Sequence, residues 1–162
     1  MTDTALEELY RETILEHSKR PRRAGLRAPF DTEVHQVNPV CGDEVTLRLT
    51  LGDGDGPARV VQDVSYDAHG CSISQASTSV MAEALAGRTV QDVVDAYSAF
   101  HEIVTTRGLT TMDPLDTLPD DLADALGDAP AFAGVARYPA RVKCALLGWT
   151  AVRQALVEAT PH

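Results

Sequence analysis

The chain has 162 residues, 44% of them apolar and 23% charged, and its net charge is −10. That length supports one domain over residues 1–162, and no apolar run approaches the roughly 20 residues that span a bilayer, so no membrane segment is predicted. The acidic balance argues against nucleic acid as the main partner, because binding a polyanion depends on neutralising its phosphates.

Met1-Thr2-Asp3-Thr4 lacks a basic segment leading into an apolar stretch, so no secretory signal is expected. Residues 4–18 carry Leu6, Leu9, Tyr10, Thr13 and Ile14 at helical spacing with acids between, which predicts a helix with one buried stripe. Pro21 and Gly25 end it. Lys19, Arg20, Arg22, Arg23 and Arg27 crowd the exit. They read as a solvated helix end, since cations suit a helix C-terminus, as a local basic arm, or as a docking patch for an acidic protein surface.

Thr32 to Val37 alternates weakly and predicts a short strand. Val45, Leu47, Leu49 and Leu51 fall on one face against Thr46, Arg48 and Thr50 on the other. Gly52 to Pro57 is a turn by composition, and Arg59 to Asp67 returns as a strand through Val60, Val61, Val64 and Tyr66. This predicts an antiparallel hairpin or meander, half-buried on one face. Ser72 is the expected N-cap of the next helix, with Gln75 completing a capping box; the helix should run to Ala86 and stop at Gly87. Thr89 is expected to cap another helix with Asp92 as its partner, reaching Val104. Residues 105–130 hold six aspartates, three prolines and two glycines and predict only a short helix over Asp120–Leu126. The last helix should start at Pro139, where proline suits a first turn, and reach Glu158, with Trp149, Val152 and Leu156 on its core face.

The chain has three cysteines, an odd and sparse set that does not suggest a disulfide framework. Unpaired thiols and the lack of a signal point to a reducing cytoplasm. Cys41 and Asp43 flank Gly42, which lets the backbone turn tightly so that both side chains can face one ion. Cys71 stands at a predicted helix start, where the dipole and free amides favour a thiolate. Cys144 falls in the first turns of the last helix. Three thiols and one carboxylate make a four-coordinate metal set, and the same thiols can carry sulfur. His69 is an alternative to Asp43 as a ligand, or a partner for a nucleophilic cysteine, although no acyl-transfer signature accompanies it. His17, His35 and His101 read as structural or surface groups. Arg141 and Lys143 flank the last thiol; a cation there either solvates the helix surface or favours an anionic sulfur.

The segments Asn38-Pro39-Val40-Cys41-Gly42-Asp43, Gly70-Cys71-Ser72-Ile73-Ser74 and Arg141-Val142-Lys143-Cys144, with Leu9 to His17, Lys19 to Arg22 and Leu147-Gly148-Trp149, resemble the NifU/IscU-like iron–sulfur scaffold family, and within it the SufU branch. The resemblance covers nearly the whole chain. The implied fold is α+β and SufE/NifU-like: a small three-stranded antiparallel sheet packed with about five helices. The family also implies convergence of Cys41, Asp43, Cys71 and Cys144 on one metal.

Two departures separate the branches. The IscU pattern has a histidine directly before the third cysteine, where this chain has Lys143, and the acidic stretch around 105–135 resembles an insertion in the SufU branch. The SufU resemblance implies a zinc-dependent sulfurtransferase that receives persulfide sulfur from a SufS-type cysteine desulfurase and supplies downstream iron–sulfur assembly proteins. It points to Cys41 as acceptor, with Cys71 as the chemical rival, and to Arg141 as the assisting cation, since its counterpart stands at the same spacing. The alternatives are an IscU-type scaffold building a [2Fe–2S] cluster from iron and sulfur, or a binding module with a purely structural zinc. An oxygen ligand among thiolates suits an exchangeable site better than a closed structural one.

Overall fold

The structure, a computed structural model, describes residues 3–106 and 113–159. Helix α1 spans Asp3–Lys19 and leads into three strands, β1 Thr32–Asn38, β2 Asp43–Leu51 and β3 Val61–His69. They form an antiparallel meander in the order β1-β2-β3. Then come α2 Ser72–Leu85 and α3 Val90–Thr105, a 3₁₀ turn at Pro114–Thr117, a short α4 at Asp120–Ala125, a 3₁₀ segment at Ala129–Arg137, and α5 Pro139–Ala159. The α+β architecture with a three-stranded antiparallel sheet is the one expected. The Leu6 side chain, and residues 107–112 of the acidic stretch, lie outside what is described.

Alternation along β2 sets the core face. Val45, Leu47, Leu49 and Leu51 are buried, and Thr46, Arg48 and Thr50 between them are only half-buried, as a two-residue pleat requires. The same alternation carries one step further back and buries Asp43. Helices α2 and α5 pack on this face and on each other. Their approach is close at Gly148, where a Cβ would collide with the Thr78 side chain. Trp149 is fully buried and stacks on Phe100 at 4.6 Å between ring centroids, while Phe132 meets Phe100 edge-on at 5.7 Å.

Several boundaries differ from the sequence expectation. Val60 is not part of β3: it forms an isolated bridge to Thr89 and is exposed. Ser72 is not the N-cap of α2. Cys71 holds that position with no side-chain cap bond, and the Gln75 amide donates to the Gly70 carbonyl at 3.0 Å instead. The Thr89 cap of α3 does form, its hydroxyl accepting from Asp92 N–H at 3.1 Å. The acidic stretch looks like solvated loop by composition, yet Leu115, Leu122, Leu126 and Phe132 are all in the core. Its aspartates face outward because these few apolar residues face in.

Candidate metal centre

Three junctions of the fold meet at one end of the sheet. The β1–β2 turn carries Cys41, the first residue of β2 is Asp43, the β3–α2 junction carries Cys71, and the first turns of α5 carry Cys144. Gly42 adopts φ +72°, and its N–H donates to the Asn38 carbonyl at 2.8 Å. That closes the turn so that Cys41 lies over the buried end of β2. The ligand atoms of Cys41, Asp43 and Cys144 all lie within 4.8 Å of one another, and the Cys144 and Cys41 sulfurs are 3.1 Å apart. Cys71 stands outside that trio but touches it: its backbone N–H donates to Asp43 Oδ1 at 2.9 Å, and its thiol lies 3.6 Å from Oδ2. Cys41 and Cys71 are exposed and Cys144 is buried.

Electrostatics bear on what this cluster could hold. The Asp43 side chain is only 1% exposed, and no lysine or arginine among the described residues pairs with it. A buried carboxylate without a cation is costly. Burial, followed by hydrogen bonding with Cys41 and Asp43, pushes the Cys144 thiol well above its ordinary range. Sulfur and oxygen donors gathered around such a carboxylate match the chemistry of a zinc-type cation, whose thiolate ligands stand about 3.8 Å apart. The residues present therefore fit a bound metal, and a metal ion would displace the thiol protons.

Two contributors escaped the sequence reading. Asn38 is buried; its Nδ2 points to Cys144 Sγ at 3.7 Å and its Oδ1 accepts from Val40 N–H at 3.2 Å. The signal was the Asn-Pro pair, a turn former whose side chain bonds nearby backbone. Gly70 adopts φ +151°, and a Cβ there would run into Asp43 Oδ1. The Gly-Cys pair hinted at a close approach but not at what approaches.

The other candidates disperse. His69 is largely exposed and pairs with Asp67 at 3.2 Å, outside the thiol trio. His17 is buried between Ser79 and Asp128, each at 2.8 Å; His35 bonds Thr46 at 2.9 Å, and His101 stacks on Tyr97. Arg141 lies over the Tyr138 ring at 5.7 Å, lining a groove beside the site. Lys143 is exposed and lines a separate hollow next to Asn38 and Val40. The basic stretch after α1 is largely neutralised within the molecule: Arg20 pairs with Glu16, Arg22 with Glu16 and Glu83, and Arg23 and Arg27 with Asp63.

Comparison with known proteins adds the family. Residues 9–158 match the NifU-like N-terminal domain. The chain is 35% identical to the zinc-dependent sulfurtransferase SufU of Bacillus subtilis, over 94% of this chain and 92% of that protein. It is 30% identical to the iron–sulfur cluster assembly scaffold protein IscU of Streptococcus pyogenes, over 96% and 87% of the two chains. Among solved structures, the N-terminal part of a NifU-like protein from Brucella abortus superposes with a TM-score of 0.76 at 27% identity, covering 95% of this chain and 96% of that one.

Proposed function

The chain belongs to the NifU-like N-terminal domain family, and on that premise we propose that it is a zinc-dependent sulfur acceptor serving iron–sulfur cluster assembly in the cytoplasm. Its donor is a SufS-type cysteine desulfurase, and its sulfur passes to downstream assembly proteins. One NifU/IscU-like domain does this, with an acidic insertion around 105–135 whose described part contributes Leu115, Leu122, Leu126 and Phe132 to the core. The observation that carries the reading is an exposed thiol, Cys41, held on a tight turn against a buried carboxylate and a buried thiol. The SufU relative, which covers nearly the whole chain, supports zinc as the metal.

Cys41, Asp43, Cys71 and Cys144 would hold the zinc. Bound there, the ion supplies Lewis acidity that keeps thiols deprotonated at neutral pH. The chain's own residues do the rest. The Cys41 thiolate attacks the terminal sulfur of the donor's persulfide. A new sulfur–sulfur bond forms on Cys41, the donor's sulfur–sulfur bond breaks, and its electron pair leaves on the donor cysteine as thiolate. One persulfide replaces another, so no outside oxidant or reductant is needed. Cys41 suits this role because its short turn can move with little loss of packing. Cys144 is anchored in α5, and Cys71 is tied to Asp43 through its backbone N–H. Asp43 and those two thiols stay behind as the retained set.

The test begins with protein purified without oxygen. Colourless protein with one zinc per chain is expected; a brown, labile cluster would favour the scaffold alternative instead. Incubation with the desulfurase and cysteine should then place added sulfur on Cys41 by mass spectrometry. Persulfide mainly on Cys71 or Cys144, with Cys41→Ser still stimulating the desulfurase, would overturn the assignment. A structural zinc predicts loss of folding in every single cysteine-to-serine variant.

A further inference from the structure

Resting on the sulfur-acceptor reading above, we propose that Asn38 is a positioning residue that keeps the carried sulfur on Cys41 by holding the Cys144 thiolate back from it. Asn38 ends β1 and stands opposite Asp43, the first residue of β2. It is buried, and both ends of its side-chain amide are engaged. Oδ1 accepts from Val40 N–H at 3.2 Å. Only the oxygen of an amide can accept, so Nδ2 is the end that faces Cys144 Sγ, at 3.7 Å. Sulfur is larger than oxygen, and hydrogen bonds to it are correspondingly longer. The Asn38 backbone carbonyl also accepts from Gly42 N–H at 2.8 Å. One residue thus braces the turn that carries Cys41 and reaches the thiol of α5.

The sulfurs of Cys41 and Cys144 are 3.1 Å apart. A persulfide on Cys41 therefore has a second thiol beside it. If the Cys144 thiolate attacks Cys41 Sγ, a Cys41–Cys144 bond forms and the bond from Cys41 Sγ to the outer sulfur breaks. The outer sulfur takes the electron pair and leaves as hydrosulfide. Atoms and electrons balance without any outside reagent, and the carried sulfur is lost. Burial of Cys144 does not prevent this, because the attacking and attacked atoms are already neighbours.

An N–H donor restrains the attack. A hydrogen bond to a thiolate is charge-assisted and draws on the lone pair that attacks, and partners just outside a ligand shell orient and tune the ligands themselves. Among the described residues no other nitrogen donor reaches these sulfurs. Cys41 Sγ meets Cys144 Sγ, Cys71 Sγ meets Asp43 Oδ2, and the remaining partner of Cys144 Sγ is the Ala140 carbonyl at 3.5 Å. The acceptor thiol keeps its lone pairs free, and its buried neighbour does not. A hydrogen bond of ordinary net strength is roughly a fivefold factor in rate.

The test uses the full chain with Asn38→Ser and Asn38→Asp. Both side chains can still accept from Val40 N–H, and neither carries the N–H that faces Cys144. Gln36→Ala is the control. Gln36 lies two residues earlier on β1 and bonds Gln154 of α5, so its loss loosens the same β1–α5 contact without touching a sulfur. Thermal melts check that each variant folds. Each protein is first loaded with cobalt(II), and its sulfur-to-cobalt charge-transfer band is recorded. The band should move to longer wavelength in both Asn38 variants and stay in place in Gln36→Ala. Zinc-loaded protein is then charged with sulfur by a SufS-type desulfurase and cysteine, freed of both, and followed by mass spectrometry. The Cys41 persulfide should decay about fivefold faster in the Asn38 variants and within about twofold of wild type in Gln36→Ala. Cys41–Cys144 disulfide and hydrosulfide should appear in equal amounts as it decays. An unmoved band, an unchanged persulfide lifetime in both Asn38 variants, or an equal change in Gln36→Ala would overturn the proposal and leave the sulfur-acceptor reading standing. Wild-type protein that takes up no persulfide on Cys41 would remove that reading, and this proposal with it.

Discussion

Gly70 shows how one residue's missing side chain shapes the site. Its φ of +151° and the position of Asp43 Oδ1 leave no room for a Cβ. Gly70→Ala should therefore push the carboxylate aside. Backbone strain of this kind costs about 1–3 kcal/mol, so Tm should fall by several degrees while zinc content, measured on the purified variant, drops more sharply than stability does. Asp43→Ala separates ligand from scaffold. It removes the one oxygen donor among the four candidates, and zinc affinity measured by chelator competition should weaken by an order of magnitude or more. Retention of zinc at wild-type affinity would remove Asp43 from the ligand set. His69 would then have to swing away from Asp67 to replace it.

At the scale of elements, the stretch after α1 is clamped onto the outside of β3. Gly25 N–H donates to the Tyr66 carbonyl, the Tyr66 hydroxyl donates to the Arg22 carbonyl, and Asp63 receives both Arg23 and Arg27. Hydrogen bonding from Arg27, reinforced by Arg23, lowers the Asp63 carboxyl from its ordinary 3.8 to about 2. A depressed carboxylate contributes stability that is complete above the unfolded value and is lost as pH falls through the folded one. The clamp should thus be intact from neutral pH down to about 4 and fade toward pH 2. Asp63→Asn should cost about 1 kcal/mol at pH 7, after allowance for solvent screening, and the gap from wild type should close in the acid range of a pH series of denaturant melts. The α2–α5 contact makes a second prediction. Alanine normally improves a helix interior by about 1 kcal/mol over glycine, but at Gly148 its Cβ meets Thr78. Gly148→Ala should lower Tm, and adding Thr78→Ala should recover part of the loss.

For the molecule as a whole, the site joins segments far apart in sequence: the β1–β2 turn, the β3–α2 junction and α5. A ligand that binds only the folded form stabilises it by mass action, about 4 kcal/mol at a thousandfold excess over Kd. Zinc should therefore raise Tm, and a chelator should lower it without abolishing the cooperative melt, because the apolar core of sheet, α2 and α5 persists without the metal. No described helix is long and apolar enough to cross a membrane. Much of this architecture was legible in the sequence, for reasons local to the chain. The alternation from Val45 to Leu51 specified a half-buried strand, the Thr89 hydroxyl specified a helix start, and Pro139 opened the last helix. Carried back two residues, that alternation even buries Asp43. Other features depend on neighbours distant in sequence. Ser72 and Gln75 had a capping pattern, but Cys71 and the Gly70 carbonyl took those places once β3 met α2. The arginines after α1 looked like a basic patch until Asp63 and Glu83 folded against them. Local pattern fixes which face of an element is apolar, since pleat and helical period act within a few residues. Which charges are neutralised and which thiols meet is set by packing between elements, and only the tertiary structure decides it.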